Sequence, residues 1–475
     1  MTDHDTYQSP LSWRYGSDQM RRLWSETTKR RSMRRVWLAL AETQAEAGLI
    51  TEAQLDDLRR TADAIDIPRA TAIEEHTRHD VMAEIRTWAE QAPAGGTVLH
   101  LGATSADVTD NVDALRLRDG LALLRSTLVD VLTGLAGRVE EAADLVTLGW
   151  THLQPAAPTT VGYRLAASLQ DFLMDLEQLD AAAAAIRGKG FKGAVGTAAS
   201  YQALLAESDM DAPEMEARAM ARLGLKAAEV TTQVYPRKVD WLVLNALAGI
   251  AASAATLAFN VRLMQSPPYG EWSEGFAPGQ VGSTAMPWKR NPIDAENITS
   301  LARLVAAMPV VAWQNEAANL LERTLDDSAN RRLILPEAFL LCDEILQRTA
   351  RLASRLLVDA EAVAANVSRY GPFAALESVL LAAAAAGGSR QELHELLREH
   401  AMSAWAEVER GAANPLPERL AADARITRWL SAVEVTALLS RPLQQVGTAP
   451  QRARALAARA REATLRPAPT VLAPD

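Results

Sequence analysis

The chain has 475 residues, of which 48% are hydrophobic, 23% charged and only 5% aromatic. That length supports a large core in two or three structural units, and the abundance of alanine and leucine favours packed helices over sheet. A net charge of −10 argues against a nucleic-acid binder, which carries a basic face. It leaves room for an anionic small substrate, because local arginines override the global field.

Residues 1–104 read as helices broken by loops. The first residues lack a basic-then-apolar signal pattern, so a cytoplasmic protein is expected. Arg14 and Tyr15 lie in a non-helical lead-in after Pro10, and either Ser17 or Asp18 can cap the helix that follows. Met33, Val36, Trp37, Leu40, Ala41 and Ala45 make an apolar stripe at three- and four-residue spacing, closed by Gly48. Next comes Thr77-Arg78-His79-Asp80; a lone histidine on a helix is more often structural than functional. Thr104 and Ser105 then precede a long helical pattern, as a plain cap or, with the free helix amides, as a carboxylate site.

From Asn111 to Leu145 no proline interrupts leucines at helical spacing, a length that predicts a bundle element. The stretch Gly149–Pro155, with His152, is expected as a loop before a second long helix from about Thr160 to Arg187. Gly188–Thr197 is glycine-punctuated but lacks the strand and the lysine spacing of a phosphate loop. Thr232–Arg237, with Gln233, leads into a third long pattern ending near Met264. Its apolar run Asn245–Phe259, like Val379–Ala386, reads as too short or too weak to span a bilayer. Ser266–Gln280 has the proline and glycine content of an active-site lid.

The densest chemistry lies in Val281–Asn297. Gly282 allows close backbone approach, Pro292 opens a helix, and Lys289 and Asn291 stand at its mouth, where amides and dipole favour an anion. On composition alone this could equally be a Gly/Pro-punctuated surface loop. A fourth long pattern is expected to kink at Pro309. Glu322–Arg332 is a polar island before a fifth pattern from Pro336 to about Leu357. Cys342, the single cysteine, reads as a buried structural thiol. Residues 359–465 form shorter helices, and Pro467–Asp475 is expected to be disordered. The fold class is all-α, without a strand series. The expected domains are an N-terminal helical domain (1–104), a central long-helix bundle (105–358, with the loop at 281–291) and a C-terminal helical domain (359–475). Four or five helices of roughly 25–35 residues cannot bury their apolar faces in a monomer, which points to an oligomeric bundle.

The order Gly282-Ser-Thr-Ala-Met-Pro-Trp-Lys-Arg-Asn-Pro292 resembles the signature loop of the fumarase/aspartase superfamily, with Thr284 in place of the usual second serine. Leu99–Ser105, Thr151–Pro155, Tyr235–Asp240 and Arg323–Arg332 extend the resemblance to the adenylosuccinate lyase family, from Ser9 to about Arg390. It implies a fumarase/aspartase-like fold, a tetrameric helical core with sites shared between subunits, and no metal, organic cofactor, nucleic-acid or membrane partner. The implied reaction is fumarate release from adenylosuccinate, giving AMP, and from the succinylated aminoimidazole-carboxamide ribotide. A lyase for a different N-substituted aspartate is the alternative; a catalytically silent scaffold is a third possibility. The resemblance makes Ser283 the general base and His152 the general acid, with Glu296 orienting its imidazole. Lys289 and Asn291 would hold the succinyl carboxylate that gathers charge, and Thr104, Ser105 and Gln233 the rest of that moiety. Arg78, His79 and Asp80 would lie near the phosphate or leaving group. Arg14, Tyr15, Arg323, Ser328 and Arg332 match nucleotide and phosphate contacts; arginine suits phosphate because its fork bonds two oxygens at once. Asp294 adds a negative charge beside the loop, where some relatives carry a basic or small residue, and so is expected to weaken binding of an anionic substrate.

Overall fold

A computed structural model describes residues 5–440 and 445–466, so the expectation for Pro467–Asp475 lies outside the described residues. The chain opens with α1 (Asp18–Leu23), α2 (Glu26–Glu46), α3 (Glu52–Thr61), α4 (Ile67–Thr77) and α5 (Asp80–Gln91). Ser17 caps α1 by accepting the Met20 N–H. The expected stripe of α2 is buried, and beside it Arg30 and Arg34 donate to the buried Glu84 of α5 at 2.8 and 2.7 Å. Paired in this way the buried charges offset one another, and the two helices are tied in register.

Then come α6 (Ser105–Glu141), β1 (Val146–Thr151), β2 (Gln154–Thr160), α7 (Val161–Ala185), α8 (Ala199–Leu204), α9 (Ala212–Leu223) and α10 (Lys238–Met264). These are followed by β3 (Trp272–Ser273), α11 (Ile293–Ala317), α12 (Asp326–Arg355) and β4 (Leu357–Val358). The chain closes with α13 (Ala360–Ala374), α14 (Leu376–Ala385), α15 (Arg390–Glu409), α16 (Leu416–Ala422), α17 (Ala424–Thr427), α18 (Ala432–Ser440) and α19 (Ala449–Leu465). The fold is all-α in its mass. Its bundle is α6, α7, α10, α11 and α12, packed side against side. Small residues set the closest approaches: a Cβ on Gly162 at the start of α7 would stand 2.6 Å from the Ala143 Cα.

Three elements differ from the sequence expectation. The segment around His152 is a two-stranded antiparallel hairpin, not a loop, with Thr151 opposite Gln154. A second small sheet pairs β3 with β4. Helix α12 begins at Asp326 and carries Pro336 inside it, so the polar island forms its first turns. Pro309 likewise lies within α11, which continues to Ala317.

One apolar core unites α2 and its neighbours with the bundle and with Ala453, Ala457 and Ala460 of α19, which returns to pack on α6 and α7. A second, smaller core is built from Ala375–Leu439. Helices α6 and α10 are long and apolar enough to cross a bilayer by length and composition alone, α10 extending well beyond its run at 245–259. Here both are central bundle helices with buried core faces, and they bury charged groups such as Asp107, Asp110 and Asp240. Cys342 is fully buried, and burial pushes its thiol well above the ordinary range.

One buried carboxyl is poorly matched to its place. Asp175 of α7 is 8% exposed and its Oδ2 finds no hydrogen-bond partner among the described residues. Burial, against the help of Ser253 and aggravated by Asp171, pushes its carboxyl up to about 6. The folded state therefore binds a proton more readily than the unfolded chain, so stability falls as pH rises from about 4 through 6. The two-unit shift corresponds to roughly 3 kcal/mol at pH 8. Asp175→Asn is expected to melt above the parent protein at pH 8, with the difference vanishing toward pH 4, in paired thermal scans.

Candidate active site

A cleft of about 700 Å³ opens where α2, α4, α5, α6 and α12 meet the segment that leads into α10. It collects Arg78, His79, Asp80, Thr104, Ser105, Gln233, Arg323, Ser328 and Arg332, which the sequence scatters over more than 250 positions. His79 caps α5: its Nδ1 accepts the Met82 N–H at 3.3 Å, leaving Nε2 facing Ser105 Oγ at 3.5 Å. Arg78, just before it, takes the left-handed conformation that ends α4 (φ 54°). Burial works against the charge on Asp80, yet Lys29 at 3.7 Å and Arg332 at 3.0 Å hold its carboxyl below the usual range. Lys29 is a cleft residue that the sequence did not single out.

Thr104 and Ser105 are set by Asp107, one turn into α6. The carboxylate accepts the Thr104 N–H at 3.0 Å and is itself held by Lys189, by the Tyr201 hydroxyl at 3.1 Å and by the Gly193 N–H at 3.1 Å. The glycine-punctuated stretch 188–197 is thus the seat of Asp107 rather than a bare linker. Gln233 is fixed by its backbone on the Glu322 carbonyl and by its side chain on Ala194, both at 3.1 Å.

The floor of the cleft is a buried ion network that sequence reasoning missed. Arg237 donates to Asp327 at 2.7 Å and Asp110 at 3.0 Å; Arg331 donates to Asp240 at 2.7 Å and Asp113 at 2.9 Å. Tyr235 OH donates to Asp240 at 2.5 Å and accepts from Arg331 at 2.7 Å. Burial opposes the charge on both arginines, but the aspartates outweigh it and hold both guanidinium groups charged. Arg323 reaches in to Asp327 at 3.1 Å, and Ser328 stands one residue beyond. The local signal was present in the alternation of Arg and Asp at 323–332, but their partners lie on α6 and α10.

The remaining candidates lie outside this cleft. Arg14 is exposed, its guanidinium 5.8 Å from the Trp13 and Tyr15 rings, and Tyr15 packs on the main core. His152 stands exposed at the tip of the β1–β2 hairpin. His152 (φ 53°) and Leu153 (φ 60°) both take the left-handed conformation that a two-residue turn between twisted strands requires. Without glycine this costs on the order of 1 kcal/mol per residue, an expense met at sites where a side chain must be aimed. Glu296, in the first turn of α11, is exposed, and among the described residues no hydrogen bond or ion pair joins it to His152.

Ser283 lies in the loop that leads to α11. Its Oγ accepts the N–H groups of Ala285 at 3.3 Å and Met286 at 3.1 Å. The loop folds back on itself: Asn291 Nδ2 donates to the Gly282 carbonyl at 2.8 Å, and a Cβ on Gly282 would stand 2.0 Å from the Lys289 carbonyl oxygen. Lys289 is exposed. The expected anion site at the helix mouth is corrected here, because Glu274 already fills it, accepting the Asp294 and Ala295 N–H groups at 3.1 Å each. Asp294 itself is paired with Arg348 at 2.5 Å and Arg351 at 3.8 Å, so its charge is met by α12.

The chain that builds this long-helix bundle and arginine-rimmed cleft is a lyase. A family model described as "Lyase" matches residues 13–307. A second, for the adenylosuccinate lyase C-terminus, matches residues 372–456. The chain belongs to the adenylosuccinate lyase family and is a carbon–nitrogen lyase that eliminates fumarate. It is 39% identical to the adenylosuccinate lyase of Schistosoma mansoni over 89% of each chain. With the Saccharomyces cerevisiae enzyme it shares 38% identity over 95% of this chain and 94% of the relative. It is 34% identical to the Archaeoglobus fulgidus enzyme over 93% of this chain and 96% of that one. In fold it resembles the 3-carboxy-cis,cis-muconate lactonizing enzyme of Pseudomonas putida (TM-score 0.85, 23% identity, 96% of this chain and 100% of that one). It also resembles a fumarate lyase from Mesorhizobium (TM-score 0.82, 23% identity, 95% and 99%).

Because Gly282 abuts the Lys289 carbonyl, Gly282→Ala must displace the loop backbone. Displacements near 1 Å in a catalytic group cost about 100-fold. The variant is expected to lose about that factor in turnover while its melting temperature stays within a degree or two, since the loop lies outside the core. Steady-state rates set beside thermal scans check this.

Proposed function

We propose that the chain releases fumarate from adenylosuccinate, giving AMP, and from the succinylated aminoimidazole-carboxamide ribotide. The observation that carries this is the cleft itself: His79, Thr104, Ser105, Gln233, Arg323, Ser328 and Arg332, from separate chain segments, converge on one space. The arginines suit a phosphate and the hydroxyls and amide a succinyl group.

In this reading Ser283 takes the proton from the carbon next to a succinyl carboxylate. A serine is a weak base, and the two amides on its Oγ lower the cost of the alkoxide in a site from which water is excluded. Tyr269–Glu274, within the segment expected as a lid, is instead fixed and largely buried. Lys289 and Asn291 hold the carboxylate that gathers charge. His152, charged and oriented by Glu296, protonates the departing nitrogen. Arg78, His79 and Asp80 line the leaving-group side; Arg14, Tyr15, Arg323, Ser328 and Arg332 hold the nucleotide.

The same reading makes the enzyme a cytoplasmic homotetramer. None of Ser283, His152, Lys289 and Glu296 lines the cleft of its own chain. The long helices also leave large apolar side chains uncovered, among them Phe259 of α10 and Leu304, Val310 and Trp313 of α11, each 55–60% exposed. Such surface belongs in an interface. Neighbouring subunits would then bring His152 and the Ser283 loop to each cleft.

The test is fumarate release from each of the two substrates offered separately, with rapid turnover expected for both. Ser283→Ala and His152→Ala should each fall by about 10²–10⁴-fold with tetramer mass unchanged by light scattering. Mixed and reassembled, the two variants should regain part of the lost rate, because hybrid tetramers hold sites with both groups intact. Full activity in either single variant would refute its assigned role.

A further inference from the structure

We infer that Glu274 and Gln265 are positioning residues for the Ser283 loop: a two-residue clamp that joins the loop's two stems and sets where Ser283 stands. The inference rests on the reading of that loop as the eliminating loop. Between Gly275 and Pro292 the chain is largely exposed, so its placement depends on how its ends are tied. Gln265, just past the end of α10, touches both ends with one side-chain amide. Its Oε1 accepts the Glu274 N–H and its Nε2 donates to the Arg290 carbonyl, each at 3.0 Å. The buried Glu274 carboxylate then bonds the Asp294 and Ala295 N–H groups of the first turn of α11 at 3.1 Å. These are among the donors a helix start leaves without partners, and the helix dipole favours a negative charge there.

From this base the geometry runs inward to Ser283 without a break. Arg290 is adjacent to Asn291, Asn291 holds the Gly282 carbonyl at 2.8 Å, and Gly282 precedes Ser283. Loosening the base therefore moves the base catalyst. Upstream, Glu274 is itself anchored by the β3–β4 pairing next to it. The clamp is poorly explained as a device for stability alone. A helix cap kept for that purpose has its carboxyl pulled down, whereas burial, outweighing the α11 amides, pushes Glu274 up. Burial of this carboxyl works against the fold even with the α11 amides upon it.

The nucleotide-binding groups Arg323, Ser328 and Arg332 lie outside the segments the clamp ties, and the loop's own Lys289 and Asn291 meet a carboxylate whose charge grows toward the transition state. Loss of the clamp should therefore appear mainly in kcat rather than in KM. Two variants test it independently. Glu274→Gln keeps the shape but sets an amide NH₂ against one of the two helix N–H groups, and Gln265→Leu removes both of its bonds. Each is expected to lower kcat by about 10–100-fold with KM within about threefold, and to speed hydrogen exchange of the 281–295 amides in the intact enzyme. The double variant should lose little more than the worse single one, because both residues act as one clamp. Four results would overturn the inference: kcat within twofold of the parent in both variants, a rise in KM at unchanged kcat, a lower melting temperature with undiminished rate per folded enzyme, or unchanged hydrogen exchange in both variants. The exchange measurement needs no substrate. If the parent enzyme turned over neither nucleotide, the functional reading would fail, while unchanged exchange in both variants would separately defeat the clamp.

Discussion

The interaction on which most of this structure depends is the buried network of Arg237, Arg331, Asp110, Asp113, Asp240, Asp327 and Tyr235. It joins the start of α6, the start of α10 and the start of α12 at one point. Charges out of water are expensive unless every one is met, and here every guanidinium faces carboxylates at close to 3 Å or less. Apolar side chains could fill the same volume, but they would let the three helices slide; fixed forks on fixed carboxylates do not. The network therefore acts less as a source of stability than as a datum. Arg323, Ser328 and Arg332 on one side and Thr104 and Ser105 on the other are all placed within a turn or two of it.

The same logic repeats around the cleft at smaller scale. Asp107 is buried because Lys189, Tyr201 and three backbone N–H groups supply it with donors, and the reward is a fixed position for the hydroxyls at 104 and 105. Asp294 looked from the sequence like a charge opposed to an anionic substrate. Paired with Arg348 and Arg351, it contributes instead to the seam between α11 and α12. A charge seen in one dimension has no direction, and its partner here lies 54 positions away.

What the sequence made legible was local. The 3.6-residue periodicity marked α7 and α10 to within a few residues and α6 less closely, six residues late at its start, because a long apolar stripe leaves little freedom in where its helix can lie. The order of residues from Gly282 to Pro292 marked the candidate eliminating loop. The hairpin at His152 was not legible. Its second strand, Gln154–Thr160, has two prolines and no alternation, and its turn contains no glycine or asparagine. The strand forms because the hairpin packs on α13 and because Arg164 ties the Leu148 carbonyl to Glu271, a tertiary cause with no local trace. The start of α12 was misplaced because Pro336 normally argues for a helix start, whereas this helix carries it in its interior. The occupation of the α11 mouth by Glu274 was invisible for a related reason: an acidic residue twenty positions upstream carries no mark of where it will fold.

Tyr269–Glu274 touches both candidate catalytic segments. Tyr269 sets its ring edge against Trp150, two residues before His152, with centroids 4.9 Å apart. Glu271, fully buried, accepts from Thr147 of the same hairpin at 3.1 Å and from Arg164 of α7 at 3.0 Å. Three residues later Glu274 caps α11. One short strap thus fixes the hairpin of the candidate acid and the loop of the candidate base in a single frame, although the two side chains do not meet within the chain. If each cleft takes its acid and its base from different subunits, a displacement of the strap in one subunit alters two different sites. The geometry of the chain then makes the sites of the assembly mechanically dependent on one another, without any contact between their substrates.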